Sequence, residues 1–196
     1  MARFKPLLAS LGLAFCLVLA VPAAGPPADL EQDPEFKFAV GLRDYGYCDY
    51  SETVFKRLKA DAGYANPQKA RILLESALNY LRWSAQEEYA QPQMDRIGPA
   101  LADLKQFGAL APSAEKEKLA HNQQYADILV AAGRRVSEIV RYPRGNLNQD
   151  AALKLGDEVF GEAVKVLKET NQAYTDAMRE VEEKQRRTNL NDQDRD

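Results

Sequence analysis

From Gln149 to Arg187 the chain contains no proline. At a rise of 1.5 Å per residue this stretch can form one helix of about 58 Å. Leu153, Phe160, Leu167, Tyr174 and Val181 recur every seven residues along it, and Gly156, Ala163, Thr170 and Ala177 occupy the other seam position. Large side chains therefore form one column and small ones a second. A small column lets a neighbouring helix approach toward the low end of the roughly 8–10 Å interaxial range. Outside the seam, Glu180–Lys184, Glu182–Arg186 and Glu183–Arg187 set an acid one turn before a base, which suits a solvated face. A rod of this length needs other helices beside it or a copy of itself. Self-association through residues 149–187 is the alternative use of the segment.

Upstream, Pro34, Pro67, Pro92, Pro99, Pro112 and Pro143 divide the chain into helix-length pieces. No stretch shows sustained two-residue alternation with β-branched enrichment, and no Asn-Gly or Asp-Gly hairpin turn occurs. The pattern predicts an all-α fold: antiparallel helical hairpins over 35–145, then the long helix 149–187, with a polar tail at 188–196.

Individual boundaries follow from capping and periodicity. The first helix is expected from Asp33 to Asp44, burying Phe36, Ala39 and Val40. A second starts near Asp49, where Asp49-x-x-Glu52 has the form of a capping box, and buries Val54, Phe55 and Leu58. Asn66-Pro67 opens a third, with Asn as cap; Ile72, Leu73, Ala77, Tyr80, Leu81 and Ser84 give its stripe, and it is expected to reach Tyr89. Met94 to Ala109 forms a fourth, with Gly98-Pro99 marking a kink or a start. Ser113 to Ala132 forms the next, capped by Gly133, and a shorter helix covers Arg135 to Arg141.

At the N-terminus, Arg3 and Lys5 precede an apolar run from Leu7 to Leu19, and Val21-Pro22-Ala23 supplies small residues at a cleavage site. This is the pattern of a secretory signal peptide over 1–23, too short an apolar run for a comfortable spanning helix. The expectation is an exported protein, periplasmic or secreted, that meets the membrane only through its leader. Residues 24–34, rich in Pro, Asp and Glu, read as a disordered lead-in.

Export without the leader leaves roughly 173 residues, enough for one hydrophobic core. The formal net charge of −3 becomes more negative once Arg3 and Lys5 are lost, so no basic excess exists to neutralise phosphates and nucleic acid is excluded as the main partner. Cys48 alone survives cleavage, so no internal disulfide can form; a buried apolar role suits it best, with pairing between chains the alternative.

Chemistry-bearing motifs are sparse. His121, the sole histidine, has Glu117 one turn before it, yet zinc needs three or four ligands; a solvated helix position is expected. Asp192, Asp194 and Asp196 alternate like the first ligands of a calcium loop, without the required Gly and Glu. No Gly-x-Ser-x-Gly elbow or phosphate-binding Gly-rich loop occurs. The expectation is a non-enzymatic protein with no cofactor and no metal.

The run Leu42-Arg43-Asp44-Tyr45-Gly46-Tyr47-Cys48-Asp49-Tyr50-Ser51, followed by Phe55, Leu58 and Ala60-Asp61, resembles a degenerate tetratricopeptide repeat. Gly46 sits at the turn, Tyr47 just after it, Ser51 where the two helices touch and Phe55 at the later aromatic position. A weaker echo spans Ala100 to Ala132. The resemblance implies a scaffold that holds a protein or peptide partner on helix surfaces. Candidate partner-binding residues are Tyr45, Tyr47 and Tyr50, whose rings combine area with a polar tip, and Arg134 and Arg141 from a local basic cluster. For both groups the structural alternative is packing or favourable charge at a helix end.

Overall fold

The computed structural model describes residues 29–193, with side chains through residue 183. The expected leader at 1–23 lies outside the described residues, as do the aspartates at 194 and 196 and the side chains of Lys184, Arg186 and Arg187. Among the described residues there are six α-helices and no strand: α1 (Pro34–Asp44), α2 (Cys48–Ala60), α3 (Asn66–Gln86), α4 (Ala90–Ala109), α5 (Glu115–Arg141) and α6 (Gln149–Gln193). A single 3-10 turn, Leu30–Gln32, precedes them. Each helix packs on the one before it in sequence, so the chain stacks as successive antiparallel hairpins ending in the long α6.

Local chemistry sets the first hairpin. Asp33 caps α1, its Oδ1 accepting from the amides of Glu35 (2.8 Å) and Phe36 (3.2 Å), while Pro34 occupies the first turn. The Tyr64 hydroxyl donates to the other Asp33 oxygen at 2.5 Å, tying the α2–α3 loop to the start of α1. Gly46 makes the α1–α2 corner at φ 88°, a left-handed conformation that favours glycine. The two helices cross where Ala39 and Ser51 are both fully buried, and the Ser51 hydroxyl donates to the Ala39 carbonyl at 2.8 Å.

Two apolar clusters form the core. Leu30, Phe36, Val54, Phe55, Leu58, Tyr64 and Ile72 fill the first. The second runs from Leu74 and Ala77 of α3 through Ile97, Leu101 and Leu104 of α4 and Leu129 and Val136 of α5 to Val159 and Val166 of α6. On the α5–α6 side, small residues allow close approach. A Cβ on Gly133 would lie 2.6 Å from the Phe160 ring, and one on Gly156 would lie 3.2 Å from Val136.

Several boundaries differ from expectation, for identifiable reasons. Leu30 is buried and Asp33 is a buried cap, so the lead-in is ordered by its apolar anchor from residue 29 onward. The capping box at Asp49-x-x-Glu52 does not form. α2 begins at Cys48, and Glu52 instead points inward to accept from the Tyr80 hydroxyl at 2.5 Å. Asn66 is the first residue of α3 rather than its cap; the flanking Ala65 amide donates to the Gln68 side chain at 2.9 Å. α3 ends at Gln86, ahead of Tyr89. α4 starts earlier than Met94, its Ala90 amide donating to the Arg144 carbonyl at 2.9 Å, and it continues through Pro99. Gly133 does not end a helix, since α5 is continuous and the glycine is the seat of Phe160. α6 reaches Gln193, past the expected end at 187, because no proline or glycine follows Gly161 to stop it.

Candidate helix-docking face

The two columns of α6 part company. The small column, Gly156, Ala163 and Thr170, turns inward with Ala152, Val159 and Val166 and packs against α5. The large column faces out: Leu153 is 55 % exposed, Phe160 41 %, Leu167 39 %, Tyr174 47 % and Val181 54 %. It is joined by residues four positions on, Val164 and Met178, which are 48 % and 65 % exposed, and by Asp157 and Asn171. Spacings of four and three along 153–181 make this stripe the seam of a second, unoccupied heptad. Surface hydrophobics scattered singly need no explanation, but seven on one line over about 42 Å of helix, interrupted only at Asp157 and Asn171, do.

The N-terminal half of the stripe borders a groove. Val136, Val140 and Arg141 of α5 and Leu153, Gly156 and Phe160 of α6 line a cavity of about 430 Å³ open to solvent. Arg141, a residue singled out in the sequence, thus stands beside the stripe. Arg134 lies seven residues earlier on the same side of α5 and is exposed.

The tyrosines lie elsewhere. Tyr45, Tyr47 and Tyr50 are exposed at the α1–α2 corner, with Tyr47 and Tyr50 rings 6.5 Å apart at 72°. They do not pack a core; Tyr64 does, 5 % exposed. Because helices stack in chain order, this corner and the α5–α6 groove belong to opposite ends of the succession, and the structure does not bring the two candidate groups into one site.

The polar side chains that do converge lie mostly inside, with Lys59 keeping some access to solvent. Lys59 Nζ donates to both carboxylate oxygens of Asp103 (3.0 and 2.8 Å) and to the Ser76 hydroxyl (3.0 Å), and Ser76 donates to Asp103 at 2.6 Å. Ser76 is fully buried and Asp103 nearly so. Arg43 and Arg71 both pair with the buried Glu75. The first network joins α2, α3 and α4 and the second joins α1 to α3, and each of these charges has its partner.

His121 is half-buried rather than fully solvated. Its ring stacks on Phe107 at 3.9 Å between centroids, and Phe107 also accepts through its carbonyl from Nε2 at 3.0 Å. Burial lowers its pKa, with the carbonyl bond acting in the opposite sense. Cys48 is free and buried; desolvation raises its thiol pKa, and Arg82 and Arg43 offset part of that rise. Among the described residues no group of three or more His, Cys, Asp and Glu is placed to hold a metal ion, and no helix is long and apolar enough to cross a membrane.

Sequence reasoning set the large column against the residues three positions on, Gly156 to Ala177, and so read one seam. The residues four positions on, Val164, Asn171 and Met178, carried the signal of the second. No family model, no curated protein and no solved structure matches this chain.

Proposed function

We propose that this chain is an exported helical scaffold that binds another protein through helix surfaces, with the outer stripe of α6 as the docking face for a partner helix. The observation that carries the reading is the line of seven half-exposed side chains from Leu153 to Val181, spaced for knobs-into-holes packing. Arg134 and Arg141 flank its groove end, where they can meet an acidic partner rim. Export rests on the leader pattern of residues 1–23.

The tetratricopeptide-like reading of the first hairpin fits alongside. Its support is the burial of Ser51 and Phe55 at the α1–α2 crossing and the corner at Gly46. In this reading the exposed Tyr45, Tyr47 and Tyr50 form a second, smaller contact. The reading is of a binding protein rather than an enzyme, supported by its convergent polar groups, Lys59, Ser76 and Asp103, bonding to one another with Ser76 and Asp103 buried.

Site-specific photocrosslinking tests the docking face. A photoreactive residue at Leu167, on the stripe, is compared with one at Lys165, on the solvated side, in extracts of the native cells. Discrete adducts from position 167 and none from 165 are expected. Equal labelling from both positions, or none from either, would overturn the proposal.

A further inference from the structure

The geometry points to a second copy of this chain as the occupant of the stripe, paired antiparallel about a two-fold axis between residues 172 and 173 of α6. This deepens the docking reading above and rests on it.

The argument begins with symmetry. A closed dimer needs a patch complementary to itself under a two-fold rotation. Reversing α6 about the point between residues 172 and 173 sets Val164 opposite Val181, Leu167 opposite Met178 and Asn171 opposite Tyr174. Between residues 164 and 181 each apolar residue thus meets an apolar one, and the polar amide meets the residue of the stripe that carries a hydroxyl, while Phe160 and Leu153 fall opposite the polar positions 185 and 192. An Asn–Tyr layer on each side of the axis supplies a polar pair that fixes register, a known use of a single polar seam position.

The flanking columns agree. In this register Lys168 lies beside Thr175 of the second copy and Gly161 beside Glu182, so no like charges meet along the exposed flank. The parallel, in-register alternative sets Asp157 against its own copy within the seam, a like-charge contact that the antiparallel register avoids.

Length and area are also sufficient. The continuous helix Gln149–Gln193 has its midpoint within two residues of the axis, so residues 152–193 of both copies overlap, about 63 Å of paired helix. If each of the seven half-exposed side chains covers about 70–100 Å², two copies bury roughly 1,000–1,400 Å², at the lower end of the range of a specific interface. The far end of the partner's helix then runs past the α5–α6 groove between Val140 and Leu153, which a lone copy leaves open.

Sedimentation velocity with disulfide trapping tests the proposal. The purified protein is expected to sediment as a dimer, and Leu167→Glu to raise its dissociation constant at least tenfold with helical circular dichroism unchanged. In a Cys16→Ala, Cys48→Ala background, Leu167→Cys mixed with Met178→Cys is expected to give a mixed disulfide dimer, and Leu167→Cys alone none. A monomer at every concentration, or efficient self-linkage of Leu167→Cys, overturns the assignment. The photocrosslinking above separates the two levels: adducts from position 167 to a different protein would preserve the docking face and remove the second copy. Loss of all stripe-specific adducts would remove both.

Discussion

The Phe160 ring rests on Gly133, close enough that a Cβ on the glycine would come within 2.6 Å of it. Gly133→Ala gains about 1 kcal/mol of helix propensity and pushes the ring off α5. Because Phe160 is already partly exposed, the net stability change is expected to stay below about 1 kcal/mol, and a cycle with Phe160→Ala to show coupling of roughly 0.5–3 kcal/mol. Chemical denaturation of the four proteins measures this. Strict additivity would show that the ring does not rest there.

The two columns of α6 should respond in opposite ways. Ala163 is 2 % exposed, and Ala163→Leu is expected to overpack the α5–α6 seam at about 1–3 kcal/mol. Leu167→Ala, at concentrations where the chain is monomeric, should cost no more than about 0.5 kcal/mol. Urea titration of both variants checks the contrast, and a larger loss from Leu167→Ala would place the large column in the core.

Asp103→Ala leaves the Lys59 ammonium with no carboxylate, facing the Ser76 hydroxyl and the Tyr80 ring. Lys59 keeps some solvent access, so the cost is expected near the low end for a broken buried pair, about 3 kcal/mol. The double replacement Lys59→Met, Asp103→Leu should recover most of it, since matched apolar groups replace matched charges. A double variant as unstable as Asp103→Ala alone would show that the ion pair is not what Asp103 contributes.

His121 predicts a pH dependence. Burial lowers its pKa in the fold, below an unfolded value of about 6.5. The folded state therefore binds its proton less readily than the unfolded chain does. The stability it contributes is complete above that unfolded value and is lost as the pH falls through the lower folded one. Between mildly alkaline and mildly acidic buffers, the stability difference between wild type and His121→Gln should shift against the wild type. A pH-independent difference, measured by urea unfolding, would contradict the burial account.

Much of this fold can be read before any coordinates. Pro67 in the first turn of α3 and the seven-residue repeat of α6 are local signals, and local signals place helices. What stays hidden is tertiary. Glu52 has the spacing of a capping residue, yet the Tyr80 hydroxyl, 28 positions later, draws it inward. Gly133 has the spacing of a cap, yet a ring from α6 occupies the space its missing side chain leaves. The same limit governs the candidate site. Periodicity shows that Leu153 to Val181 lie on one face, but only the position of α5 decides that this face looks outward. The tyrosines and arginines were visible as types, and their separation onto distant helices was not.

The central claim is that the outer stripe of α6 is covered by a partner helix when the protein works. Carbene footprinting of Leu153, Phe160, Leu167 and Tyr174 measures this most directly, comparing dilute purified protein with protein in its native cells. The account expects strong labelling at dilution and protection in the cells, with the solvated Lys165 and Glu169 labelled in both. Equal labelling of the stripe in the two states, or its protection even at high dilution, would contradict it.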